Sequence, residues 1–233
     1  MMVRNWRRHD FDSRQALADA LAATVGDQLR EAITQKGLGT LAVSGGSTPA
    51  VFLDTLSRIE LDWDKVAVTL VDERFVDETS ARSNAALVRS RLLRNQAAKA
   101  RFVPLYRPDL SLEEAAAAAS IAIRRLDLPL DVAVLGMGND GHAASFFPDA
   151  AELERLLDPA TEEVVAAVHA SSAGEDRLTM TVPVIAAARF TALHIEGAEK
   201  ASTLAAALKP GAHLPIRRVI DAAQTPVEIF WAA

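Results

Sequence analysis

No cysteine occurs among the 233 residues. Disulfides, thiolate nucleophiles and zinc–cysteine sites are excluded with it. Long apolar runs are missing too, and none approaches the ~20 residues that a membrane helix needs. The basic opening, MMVRNWRRHDF, has no apolar stretch behind it and does not read as a secretory signal. The expectation is a soluble cytoplasmic protein with no membrane partner. An excess of positive charge is also lacking. The chain has 25 basic against 31 acidic residues, a net charge of −6. That argues against general nucleic-acid binding, which shows as a basic face. The five histidines, at 9, 142, 169, 194 and 213, show no H-E-x-x-H or other metal-ligand spacing. No metal is expected.

What is present is half hydrophobic, enough for a sizeable core. Strand-like and helix-like segments alternate. The window 12–36 repeats Leu17, Leu21, Val25 and Leu29 at helical spacing. Thr40 to Val43 and the run VAVTLV at 66–71 read as strands, and Pro49 opens a helix between them. Ser83 starts another helix, and a short strand follows at 101–105. Ser111 and Glu114 form a capping box for a helix over 111–126, whose five successive alanines favour helix. Strands are then expected at 132–135, 164–170, 190–195 and 227–231, with helices from Pro183 and over 198–208. No linker or repeat interrupts the series. The pattern predicts one α/β domain over 1–233 with a mostly parallel central sheet.

The most informative stretch is DVAVLGMGNDGHAASFFP, Asp131 to Pro148. A buried strand runs straight into a turn with three glycines, where the backbone can approach a ligand closely. Asp140 and His142 lie inside that turn, at the carboxyl end of a parallel strand, where open α/β sheets bind ligands. An imidazole beside an acid is a candidate general base. Gly136, Gly138 and Gly141 also spell the dinucleotide fingerprint, but the next strand candidate ends in His169 and Ala170 rather than an acid. Nicotinamide is not expected, nor is any other cofactor.

Two further strand ends carry polar clusters. Ser44 to Pro49, SGGSTP, offers the amides of Gly45 and Gly46, the hydroxyls of Ser47 and Thr48, and a helix start, together an anion site. Capping of the helix by Ser47 or Thr48 is the plainer alternative. Ala42 to Gly46 approximates a nucleophile elbow, a lesser reading in which Ser44 attacks covalently. Asp72, Glu73 and Arg74 follow the most apolar strand, and Arg74 suits a phosphate or carboxylate. Arg177 and Lys200 are isolated cationic cues near the starts of elements. A lone histidine on a strand, such as His194, reads as structural.

Taken together, SGGSTP, VDERF, GMGNDGHAASFFP, RLTMTVP and the lysine of EGAEKA resemble the 6-phosphogluconolactonase family in order and setting. The resemblance runs from about Val43 to the last strand. SGGSTP is shared with the related glucosamine-6-phosphate deaminases, which usually carry Asn-Glu-Pro where this chain has Phe146-Phe147-Pro148. The family pattern usually has a threonine after the histidine, where this chain has Ala143. The resemblance implies a three-layer α/β/α, Rossmann-like fold with a largely parallel central sheet, and cofactor-free hydrolysis of a sugar-phosphate lactone, 6-phosphoglucono-δ-lactone, in the pentose phosphate pathway. It implies His142 as base on water, with Asp140 orienting it. Gly45, Gly46, Ser47, Thr48, Asp72, Arg74, Arg177 and Lys200 would bind substrate. A deaminase or isomerase of sugar phosphates and a non-catalytic sugar-phosphate sensor are the alternatives, and a sensor would normally carry a DNA-binding module.

Overall fold

The computed structural model describes residues 5–233; the first four residues of the basic opening lie outside them. The first long element, α1 (Arg14–Lys36), begins where Ser13 accepts a hydrogen bond from the Ala16 amide. It ends at Gly37, whose positive φ of 82° turns the chain out of the helix. Leu17, Leu21, Val25 and Leu29 are fully buried, as their spacing predicts. Burying each such side chain contributes about 1.5–3 kcal/mol.

The central sheet contains β1 (Trp6–Phe11), β2 (Gly39–Val43), β3 (Val66–Leu70), β5 (Arg101–Val103), β6 (Val132–Leu135), β9 (Phe190–Glu196) and β10 (Val227–Ala232). Their order is β1-β10-β9-β6-β2-β3-β5, every pair is parallel, and helices cover both faces. β2, β3 and β6 are buried at every position. That is why they read as continuous apolar runs rather than alternating ones. From β2 the chain builds outward through β3 and β5, then returns to place β6 on the other side of β2. The reversal opens a crevice at the carboxyl ends of β2 and β6, the usual ligand site of such sheets.

A second sheet was not expected. β4 (Asp72–Arg74), β8 (Arg177–Met180) and β7 (Val165–Val168) form it in the order β4-β8-β7, antiparallel throughout. The run at 164–170 is therefore a strand, but not of the central sheet. Its burial comes from packing beside α4 (Leu112–Arg124), where Ser120 both donates to the Val165 carbonyl and accepts from its amide. Asp72, Glu73 and Arg74 are likewise strand and not loop. Their register sets Asp72 against Thr179 and Arg74 against Arg177.

The remaining helices are α2 (Ala50–Leu56), α3 (Asn84–Arg91), α5 (Leu153–Leu156), α6 (Val182–Ala186), α7 (Ala198–Ala207) and α8 (Pro215–Ala222). The Ser111–Glu114 capping box of α4 forms with both of its hydrogen bonds. β1 and α8 had no counterpart in the sequence reading. β1 exposes its central residues at the sheet edge, so it lacks the apolar run that marks the inner strands.

Candidate active site

The carboxyl ends of β2, β6 and β9 and the edge of the small sheet surround a cavity of ≈ 340 Å³. It brings together Gly45, Gly46, Ser47, Thr48, Asp72, Arg74, His142, Arg177 and Lys200. Of the expected site residues only Asp140 is not on its wall, and Asp140 reaches it through His142.

The turn after β6 is built around that pair. Asp140 Oδ1 lies 2.6 Å from His142 Nδ1 and also accepts from the His142 amide at 3.1 Å. The Gly138 amide closes the turn onto the His142 carbonyl at 2.9 Å. A Cβ on Gly138 would stand 2.3 Å from the imidazole and 2.6 Å from the Asp140 carboxylate. Only glycine leaves room for the dyad there. The hydrogen bond from His142 holds the Asp140 carboxyl below the ordinary carboxylate range, against its partial burial. An ionised carboxylate only accepts, so Nδ1 carries the proton, and in the neutral imidazole the lone pair is then on Nε2. Phe147 supports the ring from the other side, with centroids 4.4 Å apart. Ala144, on the cavity wall, has a φ of 48°, a left-handed conformation that costs a non-glycine residue on the order of 1 kcal/mol.

The loop after β2 differs from the capping alternative. Pro49 occupies the N-cap of α2, and no side chain caps the helix. α2 is only seven residues long, so its start is a modest electrostatic feature. Thr48 instead accepts a hydrogen bond from Lys200 Nζ at 3.1 Å, which ties this loop to the first turn of α7. Gly45 faces Asn84, whose amide oxygen would be 1.8 Å from a Cβ placed there. Ser44 is buried and its hydroxyl accepts from the Gly136 amide at 3.0 Å, linking the two loops. Its backbone stays out of the left-handed region and no hydrogen bond joins it to His142 among the described residues. That is a tie between loops, not the strained elbow of a nucleophile.

Three cations face the cavity. Arg74 donates to the Arg82 carbonyl and Lys200 to Thr48; neither has an ion pair among the described residues. Arg177 is buried, donates to the Ala173 carbonyl at 2.6 Å, and has Glu175 no nearer than 3.8 Å. Its Nε has no partner. Burial, then the charge of Arg74, pull the Arg177 guanidinium below its ordinary range. Burial likewise lowers Lys200. Cations that are partly desolvated and short of carboxylates are suited to an anion. Asp72 is buried, with Oδ2 accepting from Ser145 at 2.7 Å.

Other residues of the site carried no clear signal in the sequence. Glu73, fully buried, accepts from the amides of Arg74, Asn84 and Ala85 and from the Ser83 hydroxyl. It thereby fastens the start of α3 beneath the cavity. Burial pushes its carboxyl up while those amides pull it down. Asn84 and Ser172 line the cavity. His194 lies on its inner wall, with Nε2 3.2 Å from Glu196.

Known proteins resemble this chain along nearly its whole length. A family model described as glucosamine-6-phosphate isomerases/6-phosphogluconolactonase matches residues 12–231. A 6-phosphogluconolactonase of Mesorhizobium japonicum is 55% identical, covering 98% of this chain and 95% of its own length. One of Pseudomonas aeruginosa is 46% identical over 92% of this chain and 90% of its own. The crystal structure of a 6-phosphogluconolactonase from Shewanella baltica superposes with a TM-score of 0.95 at 38% identity, covering all of both chains.

Proposed function

The chain belongs to the glucosamine-6-phosphate isomerase/6-phosphogluconolactonase family, and on that premise we propose that it hydrolyses 6-phosphoglucono-δ-lactone to 6-phosphogluconate. The setting in this reading is the pentose phosphate pathway of the cytoplasm, and the acting unit is a single domain over the whole chain. The observation that carries it is the 2.6 Å Asp140–His142 contact at a cavity lined by three cations.

His142 Nε2 takes a proton from water, and the hydroxide adds to the lactone carbonyl. Asp140 holds the imidazole in the tautomer that permits this and stabilises the imidazolium that forms. Negative charge then develops on the former carbonyl oxygen. Arg177 is the cation for that charge, because it shares the Phe147 ring with His142, its guanidinium carbon lying 5.5 Å from the ring centroid. Collapse breaks the bond from C1 to the ring oxygen, which takes the proton from His142. The product is the open-chain acid, which ionises in water. No electron donor or nucleotide enters the balance.

Arg74, Lys200 and the amides and hydroxyls of Gly45 to Thr48 hold the phosphate. Asp72, with one oxygen on Ser145, accepts a sugar hydroxyl. A general base contributes typically about 10²–10⁴ in rate. A single oxyanion donor contributes about 10²–10³.

The test follows loss of 6-phosphoglucono-δ-lactone above its spontaneous hydrolysis, with and without EDTA. Enzymatic loss that persists in the chelator is expected. No loss above background, with ammonia released from glucosamine 6-phosphate instead, would assign the chain to the other chemistry of its family.

A further inference from the structure

Arg177 depends for its position on a turn that does not itself reach it with any charged side chain at close range. Its terminal nitrogen rests on the Ala173 carbonyl at 2.6 Å, its Nε has no partner, and Glu175 is 3.8 Å away. Ala173 belongs to the short 3-10 turn Ser171–Ala173, which follows β7. The turn's one backbone–backbone hydrogen bond among the described residues runs from the Ala173 amide to the Ala170 carbonyl at 3.0 Å. The turn is followed by Gly174 at a φ of 80°. So little internal bonding does not fix a carbonyl to the fraction of an ångström that catalytic alignment needs.

What fixes it lies on the other loop. Asp149 accepts from the Ser172 amide at 2.9 Å and from the Ser172 hydroxyl at 2.6 Å. Asp149 is exposed, does not line the cavity, and sits two residues beyond Phe147. Phe147 is the ring against which both His142 and Arg177 lie. One short segment, 147–149, thus touches the base, the arginine and the turn that holds the arginine. Two other residue pairs join the same stretches: the Ser145 amide with Thr179 Oγ1 at 3.3 Å, and Glu152 with the His169 amide at 3.4 Å and ring at 3.2 Å. Neither bonds to the turn that carries Ala173.

We propose that Asp149 is a positioning residue, which clamps the Ser171–Ala173 turn so that Arg177 is held in register with His142. The role rests on the reading of Arg177 as the cation for the developing oxyanion. The Ser172 bonds hold the Asp149 carboxyl below the ordinary range, so the clamp stays ionised at neutral pH.

The experiment is a double-mutant cycle on lactone hydrolysis, with Asp149→Ala, Arg177→Ala and the pair, each checked by thermal melting. Asp149→Asn, which keeps one acceptor for Ser172, is the conservative variant. Asp149→Ala should lower kcat about ten- to hundredfold, the cost of a misplaced catalytic group. KM should change little, because the arginine acts on charge that appears only in the transition state. Asp149→Asn should recover most of kcat. Above all, Asp149→Ala should add almost nothing to Arg177→Ala, since the clamp acts through the arginine. A clamp that merely stabilised the fold would multiply with the arginine loss, and independent losses of that kind would overturn the role while leaving Arg177 in place. A kcat within twofold of the parent in Asp149→Ala, or an Asn variant no better than Ala, would also overturn it. Near-normal kcat in Arg177→Ala would instead remove the reading of Arg177, and the role with it.

Discussion

Arg74 and Arg177 stand directly opposite each other across the β4–β8 pair. Cross-strand partners share a face of the sheet, so two guanidiniums are held side by side, an arrangement that is unfavourable without a counter-charge. The charge of Arg74 is among the causes that lower Arg177. Asp72 and Glu175 offset part of that repulsion, and an anionic ligand would offset more of it.

Lys200 joins Arg74 at the cavity wall. Arg74→Ala and Lys200→Ala should weaken turnover of the phosphorylated lactone more than that of unphosphorylated gluconolactone. A charge-assisted contact is worth on the order of 1.5–3 kcal/mol, or about ten- to hundredfold in kcat/KM. The check is the ratio of kcat/KM for the two lactones in each variant. Equal losses on both would mean that these cations do not read the phosphate.

His142→Asn should lower kcat by about 10²–10⁴ and leave substrate affinity nearly unchanged, because a base acts mainly in the transition state. The variant keeps a polar group of similar reach, so melting should shift little. Near-normal turnover by the folded variant would rule out the assignment.

The site was legible in the sequence where a chemical group and its backbone setting are adjacent in the chain. Asp140, His142 and Gly138 lie within five residues, so one turn displays the dyad and the space it needs. Arg74 and Arg177 were visible only as separate cues. Their pairing depends on an antiparallel sheet formed by segments about a hundred residues apart, and no local pattern encodes that register. The same gap hid the small sheet. An apolar run such as 164–170 announces burial, not which sheet buries it. Glu73 was unreadable for a related reason: a buried carboxylate looks like any surface acid until its four donors are seen. The central sheet and its carboxyl-edge crevice were readable, because buried parallel strands are apolar throughout and glycine turns follow two of them.

Glu73→Ala should destabilise the protein by about 2–4 kcal/mol, since it leaves buried amides at the start of α3 without an acceptor. Glu73→Gln should also cost stability, because its amide nitrogen meets donors only. Denaturant midpoints measure both. Because α3 carries Asn84 to the cavity, kcat/KM should fall together with stability. A Gln variant as stable as the parent would show that the carboxylate is not what fastens α3.

Acid should act on Asp140 with a defined sign. Its folded-state carboxyl is held below the ordinary value by His142. Stability from that contact is therefore present above the ordinary carboxylate range, about pH 4, and is lost as pH falls through the depressed folded value. The stability difference between the parent and Asp140→Asn should thus persist down to about pH 4 and shrink as pH is lowered further. Denaturant midpoints across that range would test it, and a difference that grew towards low pH would contradict the ionised pairing of Asp140 with His142.

Ala143→Thr restores the hydroxyl that the family pattern usually places after the histidine. Ala143 is only 1% exposed, and its carbonyl accepts from the Phe146 amide at 3.1 Å. Threonine adds two heavy atoms and a β-branch to a site that has closed around a methyl group. Overpacking of this kind costs typically 1–3 kcal/mol. A new hydrogen bond to a water or to the turn would offset about 1 kcal/mol of that, or at most about tenfold in kcat if made only in the transition state. The packing cost is the larger of the two. The variant should therefore melt at lower temperature, with kcat unchanged or reduced. A rise in kcat well beyond tenfold would mean that the Ala143 site has room to spare, and that the missing hydroxyl limits the rate of this chain.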